Sequence, residues 1–395
     1  MSAPALDVVL RRFATVALLA VAAGCTLGPS GPPSSGPQNT GQASPTATRP
    51  ASGPAAPTAP IASSGTIRRQ FTTPLLEVRS TGTHLIWSTG ARADPNGDLA
   101  PDLYAAEPGG TPSVVYDNPN RDSQLSFLDG ADTRIAFIET NERLLGVGGW
   151  KLWYLASLDG KAIVVDAGTG SELPTFAISR DHLVWATVEV EPAESQLLDL
   201  DLGSMDRRVL VSAGPDHKQF WYPDVDGDRV VYGTVEPQAD LSEDQRHVYL
   251  LDLTVKGPGA RLDHSQSASE PAIHGNDIVW KESDQRFNFK IAGQLVHYRI
   301  DSGTQEALDM PAEGDLGFVE PTIGNRFATA WPQSDRKLYL ADLVNGTFPP
   351  ILDLGSTDDD PHDAVALPDI SGNLLAYVFA PRRGDLELRW VVLQP

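Results

Sequence analysis

The sequence predicts an all-β fold, a seven-bladed β-propeller with four-stranded antiparallel blades that occupies residues 66–395. Two observations predict it. A polar turn followed by two or three aliphatic residues and then an aromatic residue recurs every 47–50 residues. A further strand-like run follows each recurrence, and a short fourth run follows most of them. Four short strands in a unit of about 48 residues are typical of a propeller blade.

The recurring phrase ends at an anchor residue in each repeat. In three repeats a proline stands nine residues before the anchor, and a hairpin turn rich in Gly, Asp and Asn lies between the two. In the sixth repeat the anchor is a threonine and its proline is only eight residues away. The seven anchors are Trp87, Phe137, Trp185, Tyr232, Trp280, Thr329 and Tyr377.

The number of blades follows from length, since residues 66–395 accommodate seven units of this size. The last repeat ends after its third run. The segment 66–72 resembles a fourth run, so we expect it to pair with 386–393 and to close the ring. Such closure would leave only short, protected sheet edges.

The segments YPDVDGDRVVY (222–232), EPAIHGNDIVW (270–280) and LPDISGNLLAY (367–377) are similar to the repeats of TolB-like and related WD40-like propellers. The resemblance covers nearly all of 66–395, but as a structural repeat and not as an active-site motif. TolB-like proteins have six blades and an additional N-terminal α/β domain. Their partner-binding role in envelope integrity is therefore not carried over to this chain.

Composition excludes several function classes. The 52 acidic residues outnumber the 30 basic ones, giving a net charge of −22, which repels nucleic acid. The single cysteine excludes a disulfide framework. The motifs GxSxG, HExxH, Walker A and CxxC are all missing from the sequence, so we predict no catalytic residue, no cofactor and no metal.

The first 24 residues are typical of a lipoprotein signal peptide. Arg11 and Arg12 precede a short apolar run, 13–23, that is too short to span a bilayer. Ala22-Ala23-Gly24-Cys25 resembles a bacterial lipobox, so we expect Cys25 to carry a lipid that anchors the protein to a membrane outside the cytoplasm. An ordinary signal peptide that happens to contain a cysteine is the alternative.

Residues 25–65 predict a disordered tether. Thr26 to Gly65 contains nine prolines, one charge and no aromatic residue, so it cannot bury enough apolar surface to offset the entropy of ordering. As a flexible coil it would reach roughly 35 Å. It would hold a monomeric propeller away from the membrane.

Aromatic residues outside the anchor positions are the candidate ligand-binding residues. They lie near predicted strand ends and connections, where a sugar, peptide or protein could reach them; alternatively, they cap the core. The candidates are Trp150, Phe220, Trp221, Tyr222, Phe287 and Phe289.

Connections between second and third strands are acidic. They form either a docking surface for a basic partner or simply solubilising loops. ADPNGDLAPD (93–102) lacks the Gly and Glu of an EF-hand, and 358–363 has one His among four Asp, so neither predicts a metal site.

The leading hypothesis is a non-catalytic binding or scaffold module for a protein, peptide or glycan. The alternative is an extracytoplasmic hydrolase or lyase that uses channel-mouth carboxylates.

Overall fold

The computed structural model describes residues 60–68, 75–89, 102–120, 123–140, 149–169, 173–188, 195–213, 219–236, 245–265, 267–283, 293–308, 321–330, 337–353, 364–380 and 386–395. The predicted signal peptide, Cys25 and most of the predicted tether lie outside these residues. Every regular element in the described residues is a β-strand. The part of the chain that the structure describes holds no helix long and apolar enough to cross a membrane.

Five four-stranded antiparallel sheets follow one another along the chain, each with its strands in sequence order. We call them blades 1 to 5. Blade 1 contains β2 (Leu75–Ser80), β3 (Leu85–Thr89), β4 (Leu103–Ala106) and β5 (Ser113–Tyr116). Blade 2 contains β6 (Gln124–Ala131), β7 (Arg134–Thr140), β8 (Trp150–Leu155) and β9 (Ile163–Gly168). Blade 3 contains β10 (Thr175–Ile178), β11 (His182–Val188), β12 (Ser195–Asp201) and β13 (Arg207–Ser212).

Blades 4 and 5 repeat this arrangement. Blade 4 contains β14 (Gln219–Asp226), β15 (Arg229–Glu236), β16 (Gln245–Asp252) and β17 (Ala260–Arg261). Blade 5 contains β18 (Ala268–His274), β19 (Asp277–Ser283), β20 (Gly293–Arg299) and β21 (Thr304–Leu308).

The remaining strands form two sheets. The small sheet has only three strands, β22 (Phe327–Ala330), β23 (Lys337–Asp342) and β24 (Pro350–Asp353). The terminal blade has the order β1-β27-β26-β25, formed by β25 (Ala364–Ser371), β26 (Leu374–Ala380), β27 (Glu387–Leu393) and β1 (Ile61–Arg68).

The terminal blade combines both ends of the described chain. β1 runs antiparallel to β27, with Thr66 opposite Arg389 and Ile67 opposite Leu388. β1 begins at Ile61, inside the segment that the sequence predicts as tether. The amino-terminal strand β1 therefore supplies the fourth strand of the blade that the last three strands of the chain form.

The prediction of seven four-stranded blades closed into a ring is wrong. Within the described residues six sheets have four strands, the small sheet has three, and the sheets stay separate without forming a closed sheet. Of the first run of the sixth repeat, the structure describes only the residues from Pro321 onward, and these form the isolated bridge between Ile323 and Ala328 and no strand before β22. The proline of this repeat is one residue closer to the anchor than in the three repeats with a nine-residue spacing. The fold that remains is an all-β propeller with four-stranded antiparallel blades.

The aromatic anchors make the core. Trp87, Trp185 and Trp280 are fully buried, and each lies in the second strand of its blade. Aliphatic residues from each sheet pack against those of its neighbour, as where Leu374 of the terminal blade joins the cluster around Trp87. The threonine anchor is also buried, and the Oγ1 of Thr329 accepts a hydrogen bond from the backbone N–H of Thr322 at 2.9 Å. The anchor position is therefore buried even in the repeat that has no aromatic residue there.

Candidate functional site: a central cavity

The first strands of the blades surround a cavity of about 600 Å³. Its lining comes from β2, β6, β10, β14, β18 and β25, together with the loop 321–325. Every described sheet thus contributes the segment that precedes its second strand. A cavity of this volume lies in the ordinary range for small-ligand sites.

One position recurs at the cavity wall in every repeat, and in five repeats its side chain bonds to the neighbouring sheet. We call it the linking position. In the five blades and the terminal blade it pairs with the residue before the anchor, and in the small sheet it is the residue after Pro321. Its occupants, in chain order, are Arg79, Asp129, Ala177, Asp224, Ala272, Thr322 and Asp369.

Three carboxylates at the linking position bind the backbone of the next blade. Oδ2 of Asp129 accepts a hydrogen bond from Ile178 N–H at 2.8 Å. Oδ2 of Asp224 accepts one from Ile273 N–H at 2.7 Å. Asp369 of the terminal blade likewise accepts one from Ser80 N–H of blade 1 at 2.5 Å. These carboxylates therefore hold the inner strands of neighbouring blades in register.

Burial changes the acidity of these carboxylates. It raises the pKa of Asp129 to about 8, and the charge of Asp224 acts in the same direction, against the Ile178 hydrogen bond and Arg79. Burial raises the pKa of Asp224 to about 6, opposed by its hydrogen bonds from Ile273 and Val225. Burial also raises the pKa of Asp369. Desolvation disfavours the charged form of a carboxyl group, which is the direction seen at all three.

A β-bulge precedes the linking position in four sheets. In each, the residue two positions before it adopts a left-handed backbone conformation, which non-glycine residues rarely take. The four residues are Phe127 (φ 52°), Tyr222 (φ 46°), Glu270 (φ 56°) and Leu367 (φ 52°). The strand registers shift at the same points. The bulge turns three of these residues, Phe127, Tyr222 and Glu270, into the cavity lining.

Glu270 differs from the other bulge residues because it carries a carboxyl group. It is 6% exposed, it lines the cavity, and its Oε2 has no hydrogen-bond partner among the described residues. A buried acceptor without a partner costs about 1–3 kcal/mol. Such an atom calls for an explanation, and a role in contacting a ligand is one.

The aromatic residues that the sequence predicts as ligand-binding differ in their structural environments. Trp150 (7% exposed), Phe220 (3%) and Trp221 (6%) are buried, and Phe220 packs edge-on against Tyr232 in the core between blades 3 and 4. Tyr222 lines the cavity. Phe287, Phe289 and Cys25 lie outside the described residues.

Sequence reasoning missed the polar residues of the cavity. Asp224 and Asp369 directly follow the repeat prolines, and Glu270 directly precedes one. Their recurring position beside the repeat proline was therefore a sequence signal for the site. Because the proline was interpreted only as a marker of the hairpin turn, its polar neighbours were not predicted as site residues. Their burial was also not expected, since acidic residues are mostly exposed.

Two histidines form buried pairs with aspartates. His182 is buried, with Nδ1 2.9 Å from Oδ1 of Asp199. The hydrogen bond to Asp199 raises the pKa of His182. His247 forms a similar buried pair with Asp263, at 3.0 Å.

The described residues contain no group of three or more His, Cys, Asp or Glu that could hold a metal ion. The loops 93–101 and 358–363, where the sequence offers scattered oxygen and histidine ligands, lie outside the described residues.

No family model matches the sequence, and no curated protein matches it either. Solved structures do resemble it. The β-propeller domain of the Trilobed protease from Pyrococcus furiosus is 14% identical, with 80% of this chain and 92% of that one covered and a TM-score of 0.57.

An oligogalacturonate lyase in complex with manganese is 13% identical, with 85% of this chain and 97% of that one covered and a TM-score of 0.51. TolB from Acinetobacter baumannii is 12% identical, with 80% and 79% covered and a TM-score of 0.42, which is too low to support an argument. The similar structures thus include both enzymes and TolB. At these identities the likeness shows the fold alone, and the conclusion it supports is that the chain is a β-propeller.

Proposed function

We propose that the protein is a non-catalytic binding module, held outside the cytoplasm by a lipid on Cys25, whose ligand site is the central cavity. The cavity of about 600 Å³ carries this proposal, because every described sheet contributes to its lining, which includes Tyr222 and several carboxyl groups. Aromatic residues beside polar groups suit a peptide, protein or glycan ligand. The tether composition and the lipobox support attachment to a membrane.

Peptide and glycan arrays probed with the full chain test the binding role. We expect selective binding that Tyr222→Asn weakens, because the variant removes the ring while asparagine tolerates the left-handed backbone. Val114→Asn serves as the control, since Val114 is 49% exposed on the outer strand β5 and does not line the cavity. Equal binding by both variants and the wild type would place the site elsewhere.

Attachment is tested separately. Cys25→Ser should release the protein from membranes or block its processing, because serine cannot carry the thioether-linked lipid. Fractionation of cells that express the wild type and the variant measures this. An unchanged membrane fraction would contradict the proposed anchor.

An acid–base hydrolase or lyase is the second candidate function. One observation favours it: Asp129 and Asp224 line the same cavity and differ in pKa, at about 8 and about 6. Pairs of carboxyl groups with separated pKa values are typical of acid–base catalysis. Turnover of a glycan or peptide substrate that disappears in Asp224→Asn would favour this function over simple binding.

A further inference from the structure

The buried carboxyl group of Glu270 destabilises the folded protein as long as its Oε2 has no hydrogen-bond partner. Its Oε2 has no hydrogen-bond partner among the described residues, although the side chain is 6% exposed. The backbone at this residue is left-handed as well, with φ 56°. Three other sheets share this backbone conformation at the same bulge, so the observation that points to a ligand is the unpaired, buried acceptor at the cavity wall.

The charge of the cavity indicates which ligand. Besides Glu270, the lining contains five Asp residues, at the linking position and in the hairpin turns, against the cations Arg79 and Arg180. The charge of Arg79 is already paired within the protein. It forms an ion pair with Glu77 at 2.8 Å and donates to the carbonyl oxygen of Leu128 at 3.1 Å. Asp129, with a pKa of about 8, is largely protonated at neutral pH, but the other five carboxyl groups still outnumber the two arginines. The cavity is therefore electronegative, and a cation entering it would be attracted.

An aromatic ring lies at the matching position of the neighbouring blade. Tyr222 on blade 4 and Glu270 on blade 5 occupy the same bulge position, and both line the cavity. A carboxylate beside an aromatic face is a typical arrangement for binding an ammonium or guanidinium group, since the carboxylate accepts its hydrogen bonds and the ring attracts its charge.

The geometry points to an organic cation as the ligand of the cavity: we propose that Oε2 of Glu270 accepts a hydrogen bond from an ammonium or guanidinium group, as presented by a lysine or arginine side chain of a peptide, with Tyr222 beside it. This deepens the proposed function and rests on it. A bare metal ion fits less well. The oxygens of Asp129 and Asp224 already accept backbone hydrogen bonds, and a hard cation requires several free oxygen ligands.

Calorimetric titration of the full chain with Nα-acetyl-arginine amide and Nα-acetyl-lysine amide tests the inference. The citrulline counterpart of the arginine compound has nearly the same shape but no charge. We expect at least one cationic compound to bind, and citrulline to bind at least about tenfold more weakly, because a hydrogen bond to a charged group contributes about 1.5–3 kcal/mol. Glu270→Gln should weaken cation binding by a similar factor.

Asp132→Asn is the matched control. It removes the same single charge from the cavity lining, at an exposed residue with φ 56° that asparagine tolerates. We expect its affinity for the cations to stay within about threefold of wild type. Thermal unfolding of each variant verifies that it is folded.

Four results would overturn the inference: neither cation binds, citrulline binds equally, Glu270→Gln binds as wild type does, or Asp132→Asn loses as much as Glu270→Gln. The array experiment shows whether a negative result rules out only the organic cation as ligand or also the cavity as a binding site. If Tyr222→Asn still weakens array binding while the cations do not bind, the cavity is a ligand site of another chemistry. If both experiments are negative, both proposals fall.

Discussion

The hydroxyl oxygen of Thr322 accepts a hydrogen bond from the backbone N–H of Ile370 at 2.9 Å, although the two residues are 48 positions apart. This bond joins the small sheet to the terminal blade. Asp129, Asp224 and Asp369 make the equivalent bond between other sheets with a carboxylate. A carboxylate or a hydroxyl oxygen can therefore make this bond, although the linking position does not always carry an acceptor, since it is alanine in blades 3 and 5 and the donor Arg79 in blade 1.

Thr322→Val should lower the free energy of unfolding by about 1–3 kcal/mol, because it leaves the Ile370 N–H without its acceptor while keeping the side-chain shape. Thr322→Ser keeps the hydroxyl and should cost less. Urea unfolding of the two variants measures the difference. Equal losses would mean that the methyl group of Thr322 contributes as much to stability as its hydroxyl, which would contradict the prediction.

The raised pKa values of Asp129 and Asp224 predict a pH dependence of stability. Both groups start from a value of 3.8, and the folded values are about 8 and about 6. Between these limits the folded protein binds more protons than the unfolded chain does. Their contribution to stability is therefore full below about pH 4 and is lost as the pH rises, up to about pH 6 for Asp224 and about pH 8 for Asp129.

Urea unfolding at about pH 5, 6.5 and 8 measures this loss. In Asp129→Asn the fall between about pH 6 and pH 8 should shrink, because Asp224 is already half titrated at about pH 6 and contributes only a small remainder above it. A fall of unchanged size in the variant would show that another group causes it.

Gly324→Ala should lower the free energy of unfolding by about 3 kcal/mol, since an added Cβ would overlap the carbonyl oxygen of Gly372 on the neighbouring sheet. Gly227→Ala is the control. Gly227 has a left-handed backbone (φ 56°) with nothing near the added carbon, so its cost is conformational alone, about 1–2 kcal/mol. Thermal unfolding compares the two. A smaller loss for Gly324→Ala would mean that the hairpins can move apart.

Glu270→Leu should raise the free energy of unfolding by about 1–3 kcal/mol, because it removes a buried acceptor without a partner. Leu367 occupies the matching bulge of the terminal blade with nearly the same backbone angle, so leucine fits this conformation. The reverse change, Leu367→Glu, should destabilise. Chemical denaturation of both variants checks the pair, and a destabilised Glu270→Leu would mean that the carboxyl group has a structural partner.

The repeat was readable from sequence because each anchor fills a fixed site. Trp87, Trp185 and Trp280 recur at nearly equal spacing, and all three are fully buried. The number of complete blades was not readable in the same way. The first run of the sixth repeat has the right residues, but its described part, from Pro321 onward, forms an isolated bridge between Ile323 and Ala328 and no strand before β22.

The candidate site was predicted only in part. Tyr222 was expected to bind a ligand and does line the cavity, whereas Trp221, its neighbour in sequence, is buried. Side chains alternate between faces along a strand, and the bulge at Tyr222 disturbs that alternation. Sequence proximity therefore could not tell the two residues apart.

The sequence by itself determined the all-β class, the repeat length and the aromatic core, because those depend on local turns and on periodic apolar residues. Only the tertiary structure decided that Asp129, Asp224, Asp369 and Glu270 meet around one cavity. These residues are 45 or more positions apart in the chain, and their burial depends on which backbone N–H groups the neighbouring sheet presents. A carboxyl group in the sequence looks the same whether solvent or the next blade surrounds it.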